Sequence, residues 1–252
     1  ESSLAAERVG TECAKAMLGP RPGNFLRTLG KADCLKFWFE ELEGSGSIPA
    51  GPIKYHKTDV LEHIAGVMDR VVQEYENWKS AGAPGPESRT DFDLKEIRML
   101  CAWMALCHDL GKVNTPTDVL PHHYQHEVRG MRAASELARR LRLSERLRVA
   151  GVLSAKLHMK AGIYHTLRPS TRVDMLTEAY SKRLLLPLFL LAQADSGDHT
   201  LLEAATAELL SILQVKLAPK WQNQGKDSGK KLRELRCQKL ASARSASRSN
   251  TL

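Results

Sequence analysis

The sequence predicts an all-α protein, and three observations predict it. Apolar residues recur at helical spacing in one segment after another. No stretch alternates apolar and polar residues as a half-buried strand would. Clusters of proline, glycine and serine cut the chain into pieces of helix length, and no internal repeat is present.

The elements follow in order. Residues 4–18 are rich in helix formers, with Leu4, Val9, Cys13, Ala16 and Met17 at the apolar positions, and Pro20-Arg21-Pro22-Gly23 breaks the run. A second apolar run, Phe25 to Leu42, contains Phe37, Trp38 and Phe39. Gly44 to Pro52 reads as a plain linker or turn and is the best internal boundary. The next helix is strongly marked. Val60, Ile64, Val67, Met68, Val71, Val72 and Tyr75 form one apolar stripe, Thr58 or Asp59 can cap its start, and His63 sits at the edge of the buried face. Residues 80–91 read as a polar loop. Leu94 to Cys107 is a helix with Leu94, Ile97, Leu100, Cys101 and Met104 inward, and it delivers His108 and Asp109. After a loop around Pro116 and Pro121 come helices at about 126–141 and 145–158, then one ending near Asp195, then an apolar helix over 201–215. The organisation expected is residues 1–43, residues 53–200, and a C-terminal part over 201–252.

Composition bounds the function. With 42% hydrophobic residues the chain can bury a core. No segment holds eighteen consecutive apolar residues, so no membrane span is expected; the longest apolar stretch, Leu184 to Ala192, is short and contains Pro187. The start shows no secretory pattern and no initiator Met, so the chain reads as a piece of a longer protein. Cys13, Cys34, Cys101, Cys107 and Cys237 form no Cys-x-x-Cys pair and read as free thiols of a cytoplasmic protein. The net charge of +8 lies entirely from Lys216 onward, while residues 1–215 are neutral. A localised basic end suits an anionic partner, nucleic acid first; a solvated helix face is the plainer reading.

The stretch that organises the chain is Leu106-Cys107-His108-Asp109-Leu110-Gly111-Lys112. An imidazole and a carboxylate side by side at a helix end can grip one metal ion. Gly111 lets the chain turn sharply, and Lys112 stands ready for a substrate phosphate. Four further candidates are His63, His126, His158 and Asp195. All four lie in or at the ends of predicted helices, where a buried ionisable group is costly unless paired or metal-bound. His122, His123 and His165 read as surface-loop residues. Mixed imidazole and carboxylate ligation suits Mn, Fe, Co, Ni or Zn, or Mg more weakly. Such an ion acidifies bound water and screens a phosphoryl oxygen.

The His-Asp pair in this setting, with an upstream helical His and a downstream Ala-Asp, resembles the HD metal-dependent phosphohydrolase superfamily. Residue by residue, the resemblance implies His63, His108, Asp109 and Asp195 as metal ligands, with Asp109 and Lys112 catalytic. His126 and His158 lie in the interval where some HD enzymes hold a second metal. Three more segments are similar to bacterial CCA-adding tRNA nucleotidyltransferases: Arg21-Pro-Gly-Asn-Phe25 through Leu42, Pro121-His-His-Tyr-Gln-His-Glu127, and Gly225 to Leu240. Glu40 stands where that family commonly has proline.

The resemblance implies the C-terminal portion of such an enzyme: body and neck helices, an HD-domain helical bundle and a basic helical tail. The head, with its strand-borne paired aspartates, has no counterpart here, so the chain as given is not expected to add C, C and A. The implied activities are 2′,3′-cyclic phosphodiesterase, 2′-nucleotidase and phosphatase, with tRNA, RNA 3′ ends or nucleotides as partners. Lys230, Lys231, Arg233 and Arg236 would grip RNA phosphates. Two other readings stand beside this one: a catalytically silent tRNA-binding scaffold, and an HD phosphohydrolase of signalling nucleotides.

Overall fold

Helix after helix appears where the apolar period placed it. The computed structural model describes residues 4–54, 57–82 and 93–249. Most of the polar loop expected at 80–91 lies outside these. Among the described residues there are ten α-helices and no strand, with one isolated antiparallel bridge between Pro49 and Asp59. The all-α expectation is met.

Helix α1 (Ala6–Met17) and α2 (Gly23–Lys31) precede the bundle. The apolar run from Phe25 is not one helix. Asp33 turns left-handed (φ 52°) and the Cys34 amide returns to the Leu29 carbonyl at 2.9 Å, which closes α2. Helix α3 (Val60–Ser80) is capped by Asp59, whose carboxylate accepts the Glu62 amide at 2.8 Å; such a cap contributes about 1 kcal/mol. Asp93 caps α4 (Leu94–Cys107) in the same way through the Lys95 amide. Leu94, expected inward, is exposed, because it stands in the first turn and only its carbonyl is engaged, by the Tyr75 hydroxyl. From Leu100 to Cys107 α4 is buried on every side, which makes it a central helix.

Helices α5 (His126–Arg140) and α6 (Glu145–Gly162) form an antiparallel hairpin. Where one helix ending near Asp195 was expected there are two, α7 (Pro169–Ser181) and α8 (Leu185–Ser196). They part at Arg183, which is left-handed (φ 52°), and the Leu184 amide closes on the Ala179 carbonyl at 2.9 Å. Pro187 falls in the first turn of α8, where its missing N–H costs nothing. The first ten residues of α8 are all buried, so it is the second central helix. α3, α4, α6 and α8 pack together around the core. α9 (Leu201–Leu213) packs on α8, and the basic tail helix α10 (Lys226–Ser249) lies on α7 and α9. No helix of the described residues is long and apolar enough to cross a membrane.

Candidate metal centre

Five helix ends meet at one place. His63 stands in the first turn of α3, His108 caps the end of α4, His126 opens α5, His158 lies in the last turns of α6, and Asp195 ends α8. Asp109 follows His108 as the chain leaves α4 into a 3-10 turn, Leu110–Lys112. Gly111 is needed for a reason other than a sharp left-handed turn. A Cβ there would lie 1.9 Å from the His126 carbonyl oxygen and 2.5 Å from the Gly130 nitrogen. The start of α5 rests directly on this backbone, and that contact brings His126 to Asp109.

Asp109 is the hub, with one oxygen facing each of two groups. Its Oδ2 lies 3.1 Å from His63 Nε2 and 3.2 Å from His108 Nε2. Asp195 Oδ1 joins this side, 3.3 Å from His63 Nε2 and 3.9 Å from His108 Nε2. On the other side, Asp109 Oδ1 lies 3.4 Å from His126 Nε2 and 3.3 Å from His158 Nε2. His63, His108 and Asp109 form one buried set that could hold a metal ion; Asp109, His126 and His158 form another.

The tautomers match that use. His108 Nδ1 donates to the Ala105 carbonyl at 2.6 Å, His126 Nδ1 to the His123 carbonyl at 2.7 Å, and His158 Nδ1 to the Ser154 carbonyl at 3.0 Å. With the ring proton held there, each neutral imidazole turns a lone pair inward at Nε2. The inward nitrogens then crowd: His108 and His63 Nε2 are 3.3 Å apart, His126 and His158 Nε2 3.2 Å. Asp109 Oδ1 is buried with no hydrogen-bond donor. Lone pairs and a carboxylate packed this closely could hold a cation between them.

Without a metal, protons are drawn in. Burial disfavours charge on His63, but Asp109 and Asp195 outweigh it and raise its pKa to about 9. His158 is also raised against its burial, chiefly by Asp109, whereas burial lowers His126. Burial alone would raise Asp109, yet Lys112 and His108 hold it well below the usual carboxylate range. Asp195 is lowered likewise against its burial, by His63 and His108.

Lys112 is buried. Its Nζ lies 2.7 Å from Asp109 Oδ2 and donates to the Ala50 carbonyl at 2.8 Å, so it holds the hub carboxylate in place. His123, read as a surface-loop residue, is half-buried. Its Nε2 donates to the Pro49 carbonyl at 2.8 Å, which leaves Nδ1 to accept the Thr115 hydroxyl at 2.8 Å. Arg129 braces the same corner through the Gly111 carbonyl and Thr115. No local pattern marks the ties to the Ala50 and Pro49 carbonyls, which join residues 62 and 74 apart in sequence. His122 is exposed, as expected, and so is His165, which meets Thr200 at 2.9 Å.

The tail cations stand apart from this centre, on α10. Arg233 forms a bidentate pair with Asp174 at 2.6 and 2.8 Å, and Arg236 donates to the Ile212 carbonyl at 3.2 Å. Both tie α10 to the body. Lys231 sits over the Trp221 ring and pairs with Glu234 at 2.9 Å; Lys230 meets Asp227 at 3.3 Å and is largely exposed.

Fold and site together define an all-helical protein with buried His/Asp groups that could hold a metal ion. No family model matches the chain. It is 34% identical over 171 residues to the multifunctional CCA protein of Pasteurella multocida (strain Pm70), covering 68% of this chain and 37% of that protein. It is 30% identical over 198 residues to the one from Aromatoleum aromaticum (strain DSM 19018 / LMG 30748 / EbN1), covering 77% and 43%. The chain belongs to the multifunctional CCA protein family, and it spans less than half the length of these relatives. The resemblance read from its motifs is borne out.

Proposed function

We propose that this chain is the HD-type, metal-dependent phosphohydrolase part of a CCA-adding tRNA nucleotidyltransferase, cleaving 2′,3′-cyclic phosphodiesters and phosphomonoesters of nucleotides or RNA 3′ ends. The observation that carries the reading is the hub carboxylate with one oxygen toward each buried pair of imidazole lone pairs.

His63, His108, Asp109 and Asp195 would hold one divalent ion, and Asp109, His126 and His158 a second. The imidazole-rich donor set favours Ni, Mn, Co or Zn over Mg. When bound, such an ion lowers the pKa of a water and offsets charge on a phosphoryl oxygen. The residues do the rest. The backbone carbonyls that hold each Nδ1 proton keep Nε2 aimed inward. Lys112 keeps Asp109 ionised and has one N–H left for a phosphoryl oxygen. Asp195 is the partly exposed ligand, so substrate approaches from its side.

The test is hydrolysis of 2′,3′-cyclic AMP by metal-stripped protein with each metal added back, using Asp109→Ala as the control. Metal-dependent turnover that falls at least a thousandfold in Asp109→Ala supports the reading. No turnover with any metal, alongside tight tRNA binding, favours the scaffold reading instead. The exposed Lys230 and the remaining tail charge suit such a grip on phosphates.

A further inference from the structure

A cavity lies next to the metal centre. It measures about 530 Å³ and lies between the 46–53 segment, the residues that lead into α3 and the Leu120–Pro121 corner. Ile48, Ile53, Leu120 and Pro121 give it apolar walls, while Ser47 and Thr58 add hydroxyl groups. Apolar walls with a few polar groups, in a cavity of this size, are the usual make-up of a small-molecule site.

Two contacts fix its place beside the ligands. Asp59, in its lining, is one helical turn before His63, whose amide bonds to the Asp59 carbonyl at 3.0 Å. Pro49 and Gly51, also in its lining, flank Ala50, whose carbonyl takes Lys112 Nζ. That same Nζ touches Asp109 Oδ2, so a single ammonium group spans from the hub carboxylate to the cavity wall.

The wall is also held in shape. The Ile48 carbonyl accepts the Val60 amide at 2.8 Å, the Ala50 amide reaches the Thr58 carbonyl at 3.0 Å, and His123 holds the Pro49 carbonyl. A segment expected to be a plain linker is pinned at four points. Against this order, Ile53 is 84% exposed at the rim, a large aliphatic side chain left facing water.

We propose that this cavity is a nucleoside subsite, seating the base and ribose of a phosphoester whose phosphoryl group lies at the metal centre. The proposal rests on the phosphohydrolase reading for the placement of the phosphoryl group. Its own content is separate: the site recognises the nucleoside and not the phosphate alone. A base offers two apolar faces to Ile48, Ile53, Leu120 and Pro121, and polar edges to the hydroxyl groups of Ser47 and Thr58.

Calorimetric titration of the manganese-loaded chain tests it, with the non-hydrolysable methylene-phosphonate isosteres of adenosine 2′-monophosphate and of glycerol 2-phosphate as probes. The adenosine probe is expected to bind at least tenfold more tightly. Gly46 lines the cavity, and a Cβ there meets no heavy atom within 4 Å. Gly46→Phe therefore adds bulk to the cavity lining with no clash at its Cβ, and should bring the ratio of the two affinities to within twofold of one. If Gly46→Phe fails to fold, Ile53→Asp, at an exposed position, should lower the ratio about fivefold. Equal binding of the two probes to the unsubstituted chain, or an unchanged ratio in the variants, overturns the subsite. A preserved preference in a chain that hydrolyses nothing would sustain the subsite and overturn the catalytic reading; binding of neither probe overturns both.

Discussion

The two ends of the α5–α6 hairpin use charged residues in opposite ways. At the open end His126 and His158 face Asp109 across a space that no protein donor fills. At the closed end, around residues 139–148, four arginines are matched to partners. Arg140 forms a bidentate pair with the buried Glu41 at 2.6 and 2.7 Å and also meets Glu40. Arg146 donates to the Lys182 and Arg183 carbonyls and to Glu96, Arg148 holds Glu145 and Ser135, and Arg142 stands 3.9 Å from Glu7. One end is complete without a ligand and docks the N-terminal segment onto the bundle. The other leaves Asp109 Oδ1 without a hydrogen-bond partner among the described residues and could hold a metal ion. Charge density alone does not separate a functional cluster from a structural one; the balance of donors and acceptors does.

Paired glycine substitutions sharpen this contrast most. Gly111 meets the His126 carbonyl at the open end; Gly10 of α1 meets the Leu141 carbonyl at the closed end, where a Cβ would lie 2.1 Å from the oxygen. Each glycine-to-alanine change should cost about 3 kcal/mol or more, because backbone must move. Only Gly111→Ala should also weaken metal binding, by about tenfold or more, as His126 is displaced from Asp109. Thermal melts and metal titrations on both variants check this, and equal metal affinity in the two would break the comparison.

Next in size is Arg140→Ala. It strands the buried Glu41 carboxylate and should cost roughly 3 kcal/mol, seen as a lower melting temperature with unchanged metal affinity. A variant that lost metal as well would show that the two ends are coupled through the hairpin.

The smallest effect is graded with pH. Metal and proton compete for His63 Nε2, and His63 keeps its proton until the pH passes about 9. Metal affinity should therefore rise by up to tenfold per pH unit from this one proton between pH 7 and about 9, and flatten above it. Proton release on metal binding, read by calorimetry in buffers of different ionisation enthalpy, should fall off over the same range. Affinity independent of pH would remove the charged form of His63 from the account.

Much was legible beforehand because it is local. The α3 stripe and the Asp59 cap depend only on spacing within a few turns, and both appear. All six predicted ligands converge, five of them buried, since a His or Asp set at the end of an apolar run has few other uses. The break between α7 and α8 was missed because Arg183 and Leu184 look like helix interior; only the left-handed turn separates them. That Lys112 is buried and tied to the Ala50 carbonyl was not legible, because that partner is backbone and carries no sequence signal. The contacts of Arg233 with Asp174 and of Arg236 with the Ile212 carbonyl were not legible either, those partners being distant in the chain.

By itself the sequence determined the helical class, the starts of α3, α4, α5 and α6 and the residue types at the centre, because periodicity, capping and ligand chemistry act over short range. Tertiary structure alone decided that Asp109 faces both histidine pairs, that Gly111 lets α5 touch the turn after α4, and which cations are spent on docking. Those outcomes depend on backbone approach and partner choice between remote segments, and no local pattern encodes either.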